Sequence, residues 1–219
     1  MKKSIPNFIT CLNLTAGTVG IYFTLIEGEP KAIYFVLIGA FFDFLDGLVA
    51  RLLQVSSELG KQLDSLADLI TFGLLPSFYI LVLLKEQSPL FWIAVLIAIF
   101  SAIRLGRFNI DETQRDSFLG LPTPANAIML TSIAFVPFQL SANAIIGITL
   151  LSCLLLVSNI RMIALKFAHY GWKGNEFRWV LLGSIVVLTI VFKWTVVPLL
   201  TPFYVVVSLL SSVKKSETS

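Results

Sequence analysis

Four aspartates lie close together in sequence, within segments that are otherwise apolar. Asp43 and Asp46 are three residues apart, and Asp64 and Asp68 are four residues apart. Each pair therefore projects from one face of its helix. The connection between the two helices is short, roughly residues 53–60, which makes the helices antiparallel neighbours. We expect the four carboxylates to converge on one cavity.

Such a cluster needs positive charge to balance it. A carboxylate at the centre of a membrane helix costs about 2.5 to 3.5 kcal/mol, and like charges about 4 Å apart repel by about 4 kcal/mol at an effective dielectric constant of 20. Arg51 alone cannot offset four acids. Two divalent cations would balance them, and oxygen ligands with no histidine or cysteine nearby favour Mg²⁺ or Mn²⁺, with Ca²⁺ as a further candidate.

Small residues beside the acids would admit a ligand. Gly47 and Ala50 lie on or near the Asp46 face, where their lack of bulk would let a phosphorylated ligand approach the backbone. Arg51, one turn further on, could bind a phosphate. Small residues also pack membrane helices together, so Gly47 and Ala50 taken alone do not decide between ligand binding and helix packing.

Residues 43–68 as a whole fit one pattern, DxxDGxxARx8GxxxDxxxD, at Asp43, Asp46, Gly47, Ala50, Arg51, Gly60, Asp64 and Asp68. The pattern resembles the signature of the CDP-alcohol phosphotransferase family. This resemblance implies a helical membrane fold with six core helices, a CDP-linked donor and two metal ions bound by the four aspartates. It also implies that Asp68 acts as general base, and that the CDP group is bound by Asp46, Gly47, Ala50, Arg51 and Gly60.

A second, weaker pair of motifs follows at residues 104–109 (RLGRFN) and 118–127 (FLGLPTPANA), and the chain opens with Pro6-Asn7-Phe8-Ile9-Thr10 and Asn13. These motifs resemble the serine-accepting branch of the family. The resemblance implies transfer of a phosphatidyl group from CDP-diacylglycerol to the hydroxyl of L-serine, which gives phosphatidylserine and CMP.

The second motif pair supplies candidate acceptor-binding residues, namely Arg104, Arg107, Asn109, Thr123 and Asn126. Thr123 before Pro124 has the pattern of an N-cap followed by the first helical residue, which predicts a helix N-terminus where a serine carboxylate could bind. The carboxylate could also bind Arg104 or Arg107. Both arginines equally suit a helix C-terminus at a membrane surface, so this alternative stays open.

Composition predicts that these residues lie in lipid. The chain is 57% hydrophobic and 13% charged, whereas a soluble domain has about 25% charged residues. About 20 apolar residues cross a membrane as an α-helix. We predict an all-α, polytopic membrane bundle of about eight helices, forming a single domain over residues 1–219, with spans at 7–26, 31–53, 62–84, 88–108, 122–139, 142–163, 178–193 and 195–213. Because only Lys193 and Trp194 separate the last two spans, and Pro198 could mark a kink, six or seven spans remain possible.

The distribution of basic residues predicts the orientation. All but Lys31, Lys85 and Lys193 of the 16 lysines and arginines fall on the side that holds both termini, and the cytoplasmic side carries the excess of positive charge. We therefore expect the termini and the active site to face the cytoplasm of a cell membrane. The net charge of +3 indicates contact with membrane lipid and no nucleic-acid partner. A homodimer is left open.

Two other functions compete with transfer to serine. Another enzyme of the family would use a different acceptor or donor, as a phosphatidylglycerophosphate, inositol-phosphate or archaetidylserine synthase would. A cation or proton transporter would use the acids as an ion path. Against the transporter, the acids cluster at one depth and do not form a relay through several spans.

Overall fold

The computed structural model describes residues 4–27, 31–110, 118–163 and 175–217, so most of the polar stretches around residues 109–120 and 166–178 lie outside it. The described residues confirm an all-α fold. Their helices are α1 (Ser4–Glu27), α2 (Ala32–Leu52), α3 (Glu58–Asp68), α4 (Leu75–Lys85), α5 (Val95–Ile110), α6 (Thr123–Thr131), α7 (Ala142–Leu156), α8 (Glu176–Phe192) and α9 (Val197–Glu217). A π-helical turn, Leu69–Leu74, joins α3 to α4, and the two-residue strands β1 (Phe118–Leu119) and β2 (Arg161–Met162) pair antiparallel.

By length and composition, five of the described helices can cross a membrane, namely Ser4–Glu27, Ala32–Leu52, Glu58–Lys85, Phe91–Ile110 and Trp179–Ser211. The first four match the first four predicted spans. The fifth covers the predicted spans seven and eight together. Two shorter apolar helices, Thr123–Phe135 and Ala142–Leu156, correspond to spans five and six. The chain is a multi-pass membrane protein, and the count of eight spans stays a prediction.

The predicted spans 122–139 and 142–163 run too far. α6 passes into a 3-10 turn at Ser132–Phe135, and α7 ends at Leu156. α7 ends there because its last carbonyls accept backbone hydrogen bonds from the segment before α6. The Gly120 amide donates to the Ile160 carbonyl and the Leu121 amide to the Leu155 carbonyl, each at 2.9 Å, so these carbonyls no longer serve a longer α7.

The break between α8 and α9 falls at Lys193, not at Pro198. Lys193 has φ 52° and ψ −135°, which no helix accommodates, whereas Pro198 lies in the first turn of α9, where proline is tolerated. Trp194 packs on the Phe135 ring with centroids 5.3 Å apart, and further along α9 the Thr201 hydroxyl donates to the Ala125 carbonyl at 2.9 Å. α9 therefore runs antiparallel to α6.

The helix formed by α3, the π turn and α4 lies at the centre of the bundle. Half of its apolar 18-residue stretch is buried, whereas only 11% of the corresponding stretch of Trp179–Ser211 is buried. The central helix also contributes Phe72, Leu75 and Tyr79 to the core. Asp64 and Asp68 therefore project from the most enclosed helix, while α8 presents most of its apolar side chains outwards.

A Schellman turn sets the entry of α3. Gln54 has φ 52°, its amide donates to the Arg51 carbonyl, and the Val55 amide donates to the Ala50 carbonyl at 3.0 Å, which is the pattern that ends a helix with one left-handed residue. Ser57 then caps α3 by accepting a hydrogen bond from the Gly60 amide at 3.0 Å. The predicted short connection between antiparallel helices is confirmed.

Candidate active site

Three of the predicted metal-ligating aspartates meet at one point. Asp43 of α2 and Asp64 and Asp68 of α3 each offer a carboxylate oxygen, and these atoms all lie within 4.8 Å of one another. In the described part of the chain, no lysine or arginine forms an ion pair with them. Two carboxylates at this separation repel by about 3 kcal/mol at an effective dielectric constant of 20, so the arrangement favours a cation between them.

The donor set fits a hard divalent cation. Oδ1 of Asp64 is buried and has no hydrogen-bond partner among the described residues, and an unsatisfied buried acceptor costs about 1 to 3 kcal/mol. Mg²⁺ binds oxygen at about 2.0–2.1 Å and Ca²⁺ at about 2.3–2.6 Å. Oxygens on opposite sides of one ion are thus about 4 to 5 Å apart, and the spacing of the three carboxylates meets this requirement.

Asp46 lies beside this cluster and is held differently. It is 7% exposed, and the Thr10 hydroxyl donates to its Oδ2 at 2.7 Å. Asp46 and Asp64 line one cavity. The four aspartates therefore serve two adjoining places: three form the cluster, Asp46 faces the cavity, and Asp64 belongs to both.

Helix α1 supplies contacts that the spacing of the aspartates does not reveal. Thr10 holds Asp46, and the Asn13 side-chain amide donates to Oδ1 of Asp68 at 3.1 Å. Asn7 lines the cavity with them. The sequence predicts a helix here, but the only signal for these contacts is the opening motif of residues 6–10 with Asn13. That motif supports a resemblance and assigns no role to any of its residues.

The cavity between α1, α2 and α3 has a volume of about 270 Å³. Its lining includes Gly47, Ala50 and Gly60, which the family pattern assigns to the CDP group. A Cβ built at Gly47 would lie 3.8 Å from Nη1 of Arg51 and would meet nothing else but Nη2 within 4 Å. Gly47 therefore leaves open space in the cavity, and the Arg51 guanidinium lies beside that space.

Polar groups also line this cavity. They are Asn7, Ser56, Ser57 and Lys61, and a Cβ at Gly60 would approach Oδ1 of Asn7 to 2.9 Å. Gly60 thus lets α1 and α3 come close beside the cavity. Hydroxyl, amide and ammonium groups in the lining suit a sugar and phosphate.

A second cavity, of about 320 Å³, lies against α5 and the segment after α7. Arg104 and Arg107 both line it. Arg104 is 9% exposed, and its Nε has no partner among the described residues. The guanidinium donates to Oγ1 of Thr123 at 3.4 Å and interacts electrostatically with Asp68. Arg107 is exposed and donates to the Val157 carbonyl at 3.2 Å.

The remaining candidate acceptor residues lie at different places. Asn126, one turn along α6 from Thr123, is fully buried, and neither atom of its amide has a partner among the described residues. Asn109 instead donates to the Ser65 hydroxyl of α3 at 2.8 Å. The predicted N-cap at Thr123 is wrong: Pro122 is the N-cap, Thr123 is the first helical residue, and its hydroxyl contacts Arg104.

Comparison with known proteins identifies the family of this chain. A model of the CDP-alcohol phosphatidyltransferase family matches residues 3–191. The chain belongs to this family. The match includes the four aspartates, both cavities and all of α1 to α7, and it extends almost to the end of α8.

Curated relatives carry one name, CDP-diacylglycerol–serine O-phosphatidyltransferase. The Bacillus subtilis protein is 35% identical over 133 residues, which are 60% of this chain and 75% of the relative. The Helicobacter pylori J99 protein is 33% identical over 178 residues, 77% of this chain and 75% of the relative. The Mycobacterium leprae protein is 36% identical over 148 residues, 64% of this chain and 49% of the relative. The chain thus spans between about half and three quarters of the length of these relatives.

The open space at Gly47 predicts a gain in stability on substitution. Gly47→Ala should raise the free energy of unfolding by up to about 1 kcal/mol, because alanine favours the helix and its methyl group meets no obstacle. For a chain of this size that is about 2 to 4 °C in thermal unfolding measured in detergent. Gly147→Ala in α7, where a Cβ also meets nothing within 4 Å, is the matched control. If Gly47→Ala instead lowers the unfolding temperature, Gly47 serves helix packing.

Proposed function

We propose that this protein transfers the phosphatidyl group of CDP-diacylglycerol to the hydroxyl of L-serine, forming phosphatidylserine and CMP. The observation that carries the proposal is the position of Asp64, which joins a cluster of three carboxylates to a cavity lined by Gly47, Ala50 and Gly60. The names of the curated relatives supply the two substrates.

The first cavity is the proposed donor site. Asp46, Gly47, Ala50 and Gly60 line it, and Arg51 lies beside it. The polar side chains of the lining bind the cytidine and its phosphates, and the two acyl chains extend into the surrounding lipid. The Arg51 guanidinium binds phosphate oxygens by charge-assisted hydrogen bonds.

The aspartates are the proposed metal ligands. Asp43, Asp64 and Asp68 would hold one divalent cation, and Asp46 with its neighbours a second, with Mg²⁺ or Mn²⁺ favoured and Ca²⁺ a further candidate. Bound cations would offset the charge of the diphosphate and of the phosphorus centre under attack. The protein's own part is to hold four carboxylates in place before substrate binds, through Thr10 on Asp46 and Asn13 on Asp68.

Asp68 is the proposed general base. The serine hydroxyl oxygen attacks the phosphorus that bears diacylglycerol, its proton passes to a carboxylate oxygen of Asp68, and the bond from that phosphorus to the CMP oxygen breaks. Oδ1 of Asp68 accepts one hydrogen bond from Asn13, and the carboxylate keeps further lone pairs for a cation and for the proton. General-base catalysis of this kind contributes about 10² to 10⁴ in rate.

The second cavity is the proposed acceptor site. A buried guanidinium whose Nε has no partner among the described residues favours an anion, and the carboxylate of serine supplies one. Arg104 lines this cavity and interacts electrostatically with Asp68, so a carboxylate bound to Arg104 would bring the serine hydroxyl towards the base. Arg107 closes the outer side, and Thr123 and Asn126 offer hydroxyl and amide groups nearby.

The enzyme is proposed to lie in the cell membrane with this site towards the cytoplasm. Serine and CMP are water-soluble and exchange on that side, and the basic residues near the site follow the positive-inside rule. Membrane lipid is both the surrounding medium and the source of the donor.

Purified protein tests the reaction directly. CMP release should occur with serine, should stop in EDTA and should return with Mg²⁺ or Mn²⁺. Asp43→Asn, Asp46→Asn, Asp64→Asn and Asp68→Asn should each lower turnover at least 10²-fold, because each removes a ligand or the base. Glu58→Gln changes an exposed acid on α3 that lines neither cavity and should retain activity. Release with glycerol 3-phosphate or inositol phosphate but not serine would refute the serine assignment; cation flux without any CMP release would refute the enzyme.

Arg104→Met should raise the KM for serine about 10- to 100-fold, the loss expected for a hydrogen-bonded charge. The KM for CDP-diacylglycerol should change less than 3-fold. Arg107→Met should raise the KM for serine by a smaller factor because Arg107 is exposed, and Lys85→Met at the far end of α4 is the control.

Ethanolamine, which is serine without its carboxylate, separates this role from a general one. Wild-type protein should prefer serine, and Arg104→Met should lose that preference. An equal rise in the KM for both acceptors would contradict a carboxylate contact.

Cysteine labelling tests the orientation. Ser56 and Gln87 are exposed residues just beyond the two ends of the helix Glu58–Lys85, so they lie on opposite sides of the membrane. In a background without Cys11 and Cys153, Gln87→Cys should react with an impermeant maleimide in intact cells, and Ser56→Cys should react only after permeabilisation. The opposite pattern would place the site outside the cytoplasm.

A further inference from the structure

Asn13 is a buried polar residue in the middle of α1 whose role the reaction does not by itself explain. It is fully buried, and its amide nitrogen donates to Oδ1 of Asp68 at 3.1 Å across 55 residues of sequence. An ionised carboxylate only accepts hydrogen bonds, so the amide nitrogen must face Asp68 and the amide oxygen must point away.

This orientation leaves the amide oxygen of Asn13 unsatisfied. It is buried and has no hydrogen-bond partner among the described residues. An apolar side chain of the same size would fill the space without leaving an acceptor unsatisfied. Packing alone therefore does not account for an asparagine here, whereas a donor directed at Asp68 does.

Thr71 makes a second contact with Asn13. Its hydroxyl donates to the Asn13 backbone carbonyl at 3.0 Å. Other buried helical threonines, such as Thr24 and Thr131, donate to a carbonyl one turn earlier in their own helix. Thr71 instead makes its bond between helices, so that α1 is tied to the central helix both at Asp68 and at Thr71.

Two glycines make this contact possible. A Cβ at Gly17 would lie 2.8 Å from Cα of Thr71, and a Cβ at Gly39 would lie 2.9 Å from the amide oxygen of Asn13. Neither helix could then approach as closely. α1, α2 and the central helix thus pack closely around Asn13 and Thr71, which limits the space in which the amide can move.

The π turn places this contact directly after Asp68. Leu69–Leu74 begins at the residue after Asp68 and contains Thr71. A π turn adds about one residue to the helical turn, which rotates the following helix by roughly 100° relative to an uninterrupted α-helix. The turn therefore changes the direction of Asp64 and Asp68 relative to the core face of α4.

We propose that Asn13 is a positioning residue that fixes the carboxylate of Asp68, with Thr71 locking Asn13 in place. The hydrogen bond from Asn13 to Oδ1 restricts rotation of the Asp68 carboxylate, so that the carboxylate stays directed at Asp43 and Asp64. This proposal rests on the proposed role of Asp68, and it differs from a packing role because it requires the hydrogen-bond donor itself. Outer contacts of this kind typically change metal affinity or activity 10- to 100-fold when they are removed.

Asn13→Leu tests the proposal, since leucine is similar in size and has no donor. With Mn²⁺ alone as the probe, measured by electron paramagnetic resonance without substrates, affinity should fall about 10-fold. In turnover assays, kcat should fall about 10- to 100-fold, and the KM for CDP-diacylglycerol should change less than 3-fold. Thr71→Val, which keeps the shape and removes the hydroxyl, should lower both quantities about 3- to 10-fold and keeps the test available if Asn13→Leu does not fold.

Thr24→Val in α1 and Thr131→Val in α6 are matched controls, because each removes a buried threonine hydroxyl that contacts no aspartate. Both should keep wild-type Mn²⁺ affinity and kcat. If Asn13→Leu or Thr71→Val lowers the unfolding temperature while Mn²⁺ affinity and kcat per folded molecule stay at the wild-type level, the residues only pack and the proposal is overturned. Mn²⁺ binding does not depend on the acceptor. If serine proves not to be the acceptor, the Mn²⁺ affinities of the variants therefore still test the role of Asn13.

Discussion

Mutual repulsion among aspartates in a mainly apolar bundle is the constraint on which this structure depends. Asp43, Asp64 and Asp68 bring oxygens within 4.8 Å of one another, and in the described residues no basic side chain pairs with them. Neighbouring helices oppose the repulsion with neutral donors, Thr10 to Asp46 and Asn13 to Asp68. Neutral donors stabilise the carboxylates without filling the place that a cation needs. A lysine or arginine paired at the same point would block it.

Close approach of three helices makes such short contacts possible. Membrane helices gain little from hydrophobic association, because lipid is as apolar as leucine, so small residues and hydrogen bonds hold them together. Gly17 and Gly39 admit Thr71 and Asn13 between α1, α2 and the central helix. The close contact that ties the helices together is thus also the contact that orients the acids, and the stability of this region and the geometry of the site are not independent.

The two cavities have different linings and differ in chemistry. Asp64 of the carboxylate cluster lines the first, and Arg104, which interacts electrostatically with Asp68, lines the second. The first is bordered by acids and small residues, which suits a phosphate ligand bound together with divalent cations. The second contains a buried guanidinium, which suits an anion. A transfer reaction needs this separation, since donor and acceptor must meet at one phosphorus without competing for the same groups.

Sequence alone determined the features that depend on local spacing. The first four spans follow from the length of apolar runs, and the paired faces of Asp43 with Asp46 and of Asp64 with Asp68 follow from helical periodicity. The family pattern assigned Gly47, Ala50 and Gly60 to one bound group, and these three residues line the same cavity. Only the tertiary structure decided which acids cluster, that Thr10 and Asn13 hold them, and that α7 ends at Leu156. It also directed Arg104 towards the acids and Asn109 towards Ser65. These outcomes depend on partners that lie far away in sequence, 36 residues apart for Thr10 and Asp46 and 55 for Asn13 and Asp68; periodicity within a helix carries no information about such partners.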